Sequence, residues 1–194
     1  MRVLRVAGVL ALAAALMAGA TACTGQSAPP ATSTPAADPP APSPSPSASP
    51  EITPAKGEVL KVPALSLHLL EDVRWLFDSL GTHTAAATAL LPDGYPVTVR
   101  VSDVIAVQTD LDAYADAFIA VTAPGMSPKR IDDRLVAGVR SWAVEGSDDL
   151  LRNYWTGGIH NGRQWTVQVE TPLTFDEADA VLLREQVIAS IVFS

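Results

Sequence analysis

The chain has 194 residues, with 13 Lys and Arg against 21 Asp and Glu for a formal charge of −8, 16 Pro, 12 Gly and a single Cys. That length holds one ordinary domain with flanking segments. The acidic balance argues against a nucleic-acid or anionic-membrane surface partner, since both need clustered Lys and Arg, and one cysteine excludes an intramolecular disulfide and a Cys-based zinc cage.

In chain order the first element is an address. Arg2 and Arg5 form a positive start, Val6 to Met17 is an unbroken apolar run, and Gly19-Ala20-Thr21-Ala22 supplies small residues before Cys23, the pattern of a secretory signal over residues 1–22. An uncleaved anchor is the alternative reading. The segment resembles a bacterial lipoprotein signal: Thr21, Ala22 and Cys23 match its lipobox, and Ala20 stands where that family usually has Leu. The resemblance implies that Cys23 becomes the mature N-terminus, carries diacylglycerol and palmitate-type acyl chains, and holds the protein on the extracytoplasmic face of the cell membrane. Two or more acyl chains anchor stably where one does not. Cleavage by the ordinary signal peptidase, releasing a free-thiol protein, is the competing outcome.

Residues 23–57 read as a tether. Between Thr24 and Pro54 lie 10 of the 16 prolines, with six Ser, six Ala, four Thr and no aromatic residue, a composition that cannot bury a core and stays extended. At ~3.1 Å per residue in polyproline II it reaches up to roughly 90 Å. Removal of Arg2 and Arg5 takes the formal charge from −8 to −10, and the acids are scattered, as solvation requires.

Residues 58–194 are long enough to bury a core of their own. Runs at Ala64 to Leu70, Ala85 to Leu91 and Pro96 to Val107 predict strands, with a turn over Leu91 to Pro96. Thr109 or Asp110 caps a helix whose Leu111, Tyr114, Phe118 and Val121 share one face until Pro124-Gly125. Arg134 to Glu145 reads as one strand. Leu151 to Ile159 and Gln164 to Glu170 form a hairpin across Asn161-Gly162, and Thr174 with Glu177 makes a capping box for a last helix with Ala178, Val181, Leu182, Glu185 and Ile188 to Ile191 inward.

Together these elements describe an α+β domain with a mainly antiparallel β-sheet flanked by helices. The helix opening at Asp110-Leu111-Asp112-Ala113-Tyr114, the strand Leu135 to Trp142, the hairpin over His160 to Arg163 and the ending Ile188 to Phe193 resemble the PsbP-like α/β/α sandwich. That fold is shared by photosystem extrinsic subunits, a nuclear-transport factor that binds Ran, and many actinobacterial lipoproteins. The family often has Gly-Trp after the first strand, where this chain offers Trp75 alone. The resemblance implies a binding or assembly module without catalysis and with no cofactor.

For a site, His68, His83 and His160 have no ligand spacing, and Asp110-x-Asp112 suits a helix N-terminus better than a calcium loop. Ser147 sits in a turn-like Glu145-Gly146-Ser147-Asp148-Asp149, the pairs Asp132-Asp133 and Asp148-Asp149 lack glycosidase geometry, and Gly157-Gly158 signals a bulge. The remaining lead is aromatic. Trp142, Tyr154, Trp155 and Trp165 are predicted to share one sheet, either as core or as lining of a groove for lipid, glycolipid or sugar, with Arg140, Arg152 or Arg163 at its rim. The expected function is therefore a membrane-anchored envelope binding module for a protein, lipid or glycan, with an accessory hydrolase or transferase and a structural spacer as alternatives.

Overall fold

The computed structural model describes residues 52–91 and 94–194; the expected signal, Cys23 and the tether up to residue 51 lie outside them. The elements in order are β1 (Val59–Val62), β2 (Leu65–His68), β3 (Trp75–Ser79), β4 (Thr84–Leu90), β5 (Pro96–Ile105), α1 (Leu111–Val121) and a short 3-10 turn (Pro124–Met126). They continue with β6 (Lys129–Val136), β7 (Val139–Ser147), β8 (Leu151–His160), β9 (Arg163–Pro172), α2 (Glu177–Ala189) and β10 (Val192–Phe193). A seven-stranded sheet runs β3-β4-β5-β9-β8-β7-β6, and a three-stranded one runs β1-β2-β10. Every neighbouring pair is antiparallel.

Period-two alternation divides the large sheet into two packed faces. Val97, Val99 and Val101 of β5 and Trp165, Val167 and Val169 of β9 face one side, where Leu183, Val187 and Ile188 of α2 and the β1-β2 leucines cover them. Trp142, Val144 and Trp155 face the other side, under Ala115, Tyr114 and Phe118 of α1. Fully burying side chains of this size contributes about 1.5–3 kcal/mol each. The outcome is an α+β domain whose antiparallel sheet carries a helix on each face, as the sequence leads one to expect. Among the described residues no helix is long and apolar enough to cross a membrane.

Local chemistry explains where the elements begin and turn. Asp110 caps α1, its carboxylate accepting from the amide of Ala113. The β8–β9 turn is Asn161-Gly162 with φ of 48° and 72°, a two-residue turn that needs positive φ twice and matches the strand twist.

Several expectations shift. The folded part reaches back before residue 58: Ala55 is buried and its amide donates to the carbonyl of Gln186 at 2.9 Å, one of the last-turn carbonyls that α2 cannot satisfy itself. Arg134 to Glu145 is not one strand but parts of β6 and β7, because Ala137 and Gly138 take φ of 45° and 82° and turn the chain back. Alanine hides that turn, since it rarely adopts positive φ. The cap of α2 is Asp176, accepting from Ala178 and Asp179, not Thr174. Its buried stripe is Ala180, Leu183, Val187 and Ile188, while Val181 and Leu182 are exposed. Val121 of α1 is also exposed. The short strands β1, β3 and β10 carry too few residues for a periodic signal.

Gly157-Gly158 is no bulge, for the registers of β8 with β7 and β9 run through it unbroken. A Cβ on Gly157 would lie 2.5 Å from the Trp142 ring and one on Gly158 3.1 Å from the Trp165 ring. The glycines leave room for two indoles lying on opposite faces of the sheet.

Candidate functional site

The turn-proximal ends of β7 and β8 and the first turns of α2 border an open cleft of about 280 Å³, near the lower size of small-ligand pockets. The pairs Glu145↔Tyr154 and Ser147↔Arg152 across β7 and β8 set these four side chains on the α2 side of the sheet. Glu177, Val181 and Arg184 of α2 close the opposite wall. Asp148 shapes the β7–β8 turn: its carboxylate accepts from the amides of Leu150 and Leu151, both at 2.8 Å, and these bonds hold it below the usual aspartate range.

Tyr154 is the floor. The Arg184 guanidinium lies 4.2 Å from its ring centre, within cation–π range, and Arg134 Nη1 donates to its hydroxyl at 3.2 Å. Arg134 grips Glu185 through two bonds of 2.9 and 2.6 Å, the bidentate geometry that guanidinium and carboxylate favour. Burial alone would raise the Glu185 carboxyl, but Arg134 and Arg184 together hold it below the ordinary glutamate range. The Glu185 hydrogen bond in turn locks Arg134 in its charged form. Arg184 donates to Glu145 and Glu185, each at 2.9 Å. Arg152 differs: it lines the same cleft, forms no ion pair among the described residues, and its Nη1 is buried without a hydrogen-bond partner.

The seven residues singled out from the sequence do not converge. Tyr154 and Arg152 meet in the cleft. Trp142 is fully buried on the other face, 5.4 Å from the Tyr114 ring and 4.7 Å from that of Phe118. Trp155 lies on that face too, at the side of a second groove of about 270 Å³ lined by Arg100, Ser102, Phe118, Thr166 and Gln168. Trp165 is buried on the α2 side against Phe193. The four rings share one sheet but lie on both of its faces, so no single aromatic groove exists among the described residues. Arg140 is exposed and pairs with Asp133 at 2.8 Å. Arg163 serves Asp103 instead.

Asp103 has no exposed side-chain surface. Its Oδ2 accepts from the Ala64 amide at 2.9 Å and Arg163 Nε at 2.6 Å, and His83 Nδ1 lies 2.9 Å from Oδ1. Burial pushes this carboxyl up, but the bonds from Arg163 and His83 and the Arg163 charge bring it below the ordinary aspartate value. Ala64 lies between β1 and β2, so the cluster ties the small sheet to the large one. Arg163 Nη2 also sits 3.0 Å from His83 Nδ1, competing with Asp103 for that nitrogen. His68 meets the carbonyl of Gly57, and His160 packs on Phe193.

Sequence reasoning did not find Arg184, Glu145, Glu177 or the Asp103 cluster. Arg184 lies within a helix whose composition gives it no distinction, and Asp103 looks like one scattered acid among many.

No family model matches the sequence, and no curated protein does. Among solved structures, the solution structure of cyanobacterial PsbP (CyanoP) from Synechocystis sp. PCC 6803 is similar at 12% identity over 72% of this chain and 98% of its own, with a TM-score of 0.47. A crystal structure from Bacteroides thetaiotaomicron VPI-5482 is similar at 11% identity over 71% of this chain, TM-score 0.45, and the match spans only 48% of that protein. The apo immunity protein TplEi of T6SS from Pseudomonas aeruginosa follows at 14% identity over 57% of this chain and 44% of its own, TM-score 0.34. Likeness at this level concerns the path of the backbone and carries nothing about what is bound.

Proposed function

We propose that the chain is an exported lipoprotein, held at the extracytoplasmic face of the cell membrane through acyl chains on Cys23, and that its α+β domain is a non-catalytic binding and assembly module of the cell envelope. The anchor rests on the signal-like sequence ending at Cys23. The binding role rests on the cleft. It takes an anionic group, a carboxylate or a phosphate, presented by an envelope protein, lipid or glycan.

Arg152 is the observation that carries this reading. Arg184 already has Glu145 and Glu185 as counter-charges, whereas Arg152, across the cleft on β8, has none among the described residues. A guanidinium in that state gains most from an incoming carboxylate or phosphate, which it binds through two parallel donors. Glu145 and Glu177 on the lining disfavour a second negative charge, so the group fits best when polar or cationic neighbours flank it.

The test uses the full chain in membranes with a photo-crosslinking residue at Ser147, on the cleft lining. An adduct at Ser147 that disappears with Arg152→Glu is expected; an adduct indifferent to Arg152→Glu would contradict the reading. The alternative, an accessory hydrolase or transferase acting on envelope lipids or glycans, would draw on the His83–Asp103 contact. Turnover of such a substrate, lost in His83→Ala, would favour it.

A further inference from the structure

The large sheet ends in two strands of opposite character. The β6 edge carries Lys129, Arg130, Asp132 and Asp133 and breaks register between Ile131 and Arg134, the devices that keep an edge strand from pairing with other chains. The β3 edge has no such break and carries one charged side chain, Asp78. It pairs with β4 without interruption from Trp75↔Ala89 to Ser79↔Ala85, and Leu76 and Phe77 are 59% and 48% exposed. An edge with unbroken register and exposed apolar side chains is a template for one more strand.

The geometry points to a second copy of this chain as the occupant, pairing β3 with β3 in antiparallel fashion about a two-fold axis at Leu76. In that register Leu76 meets its own mate, Trp75 stands opposite Phe77, and Arg74 stands opposite Asp78 twice, once on each side of the axis. Leu76 and Asp78 share one face of β3, and Arg74, directly before the strand, falls on that face when the strand period is continued by one residue, so two opposite-charge pairs flank a leucine contact. Directly opposed residues are the strongest cross-strand pairs, and a two-fold interface requires this kind of self-complementarity. Other registers lose it. A two-residue slip one way sets Asp72 against Asp78, and the other way sets Leu76 against Asp78. A one-residue slip turns the core face of one copy onto the open face of the other. Only the Leu76-centred register matches charge, apolar surface and sheet face together, and it joins two seven-stranded sheets into one.

Sedimentation of the full chain at pH 7 and 150 mM salt tests this. A reversible monomer–dimer equilibrium is expected. Arg74→Asp alone and Asp78→Arg alone each place two like-charge pairs across the axis and weaken the dimer by about tenfold or more. The double variant Arg74→Asp/Asp78→Arg restores it, because the charges again oppose each other; this recovery separates a broken interface from a misfolded chain. Leu76→Lys leaves the protein monomeric. A chain that stays monomeric at 100 μM, a dimer indifferent to the single reversals, or a double variant no better than the singles would each overturn the inference.

Discussion

Replacing Asp103 measures how firmly the small sheet is held to the large one. Asp103→Ala removes acceptors from the Ala64 amide at 2.9 Å, Arg163 Nε at 2.6 Å and His83 Nδ1 at 2.9 Å. Ala64 is buried, so its N–H loses its partner without gaining water, and Arg163 loses its counter-charge. Removing one partner of a buried pair costs about 3–5 kcal/mol. Because Arg163 and His83 are partly exposed, the lower end applies, about 3 kcal/mol, which for a domain of this size lowers Tm by roughly 10 °C. Asp103→Asn keeps one acceptor oxygen and costs less. The sign of the pH dependence follows from the direction of the shift. The folded carboxyl lies below its ordinary value of 3.8, so its contribution is fully present above that value and fades as pH falls through the lower, folded one. Urea denaturation of wild type and Asp103→Ala should therefore show a stability gap that is present at pH 7 and narrows as pH falls below the ordinary aspartate value. A loss under 1 kcal/mol, or a gap that widens in acid, would refute the interlock.

Gly157→Ala sets a methyl 2.5 Å from the Trp142 ring and 2.6 Å from the Trp165 carbonyl, and thermal unfolding should register a loss of about 1–3 kcal/mol. Ala137→Asn turns the strained β6–β7 reversal into Asn-Gly, and equilibrium unfolding should show a gain of about 0.5–1 kcal/mol. Tyr114→Phe removes a hydroxyl that contacts Thr166 Oγ1 at 2.6 Å and the Trp165 carbonyl at 3.2 Å, costing about 1 kcal/mol at pH 7. Burial raises the Tyr114 phenol above its ordinary 10.0, so its stabilisation is present below that value and lost as pH climbs through the raised one. The variant should consequently unfold less steeply than wild type in alkali, as near-UV circular dichroism would show.

The α+β architecture was legible because its signals are local. Alternating Trp165, Val167 and Val169, the Asn161-Gly162 turn and the capped helix at Asp110 each declare an element within a few residues. The reversal at Ala137 was not legible, since Ala-Gly inside an apolar alternation looks like more strand, and only pairing with β7 shows that the chain turns. The Gly157-Gly158 doublet was visible, but its reason lies in two indoles brought from β7 and β9. For the site, the sequence could nominate rings and arginines but could not assign them to sheet faces. The twist and register that place Trp142 and Trp165 on opposite sides are tertiary facts, as is the arrival of Arg184 from α2 beside Tyr154. Whether an arginine is paired depends on distant acids such as Glu145 and Glu185, so the unpaired state of Arg152 appears only in three dimensions.

The direct test of the account as a whole is fractionation of cells making the full chain or its Cys23→Ser variant, with the intact mass of the processed protein read from each fraction. The proposal calls for wild type in the membrane with a diacylglyceryl mass on Cys23, and for the variant to lose that mass and leave the membrane fraction. Wild type recovered as an unmodified chain, or a variant that partitions as wild type does, would contradict it.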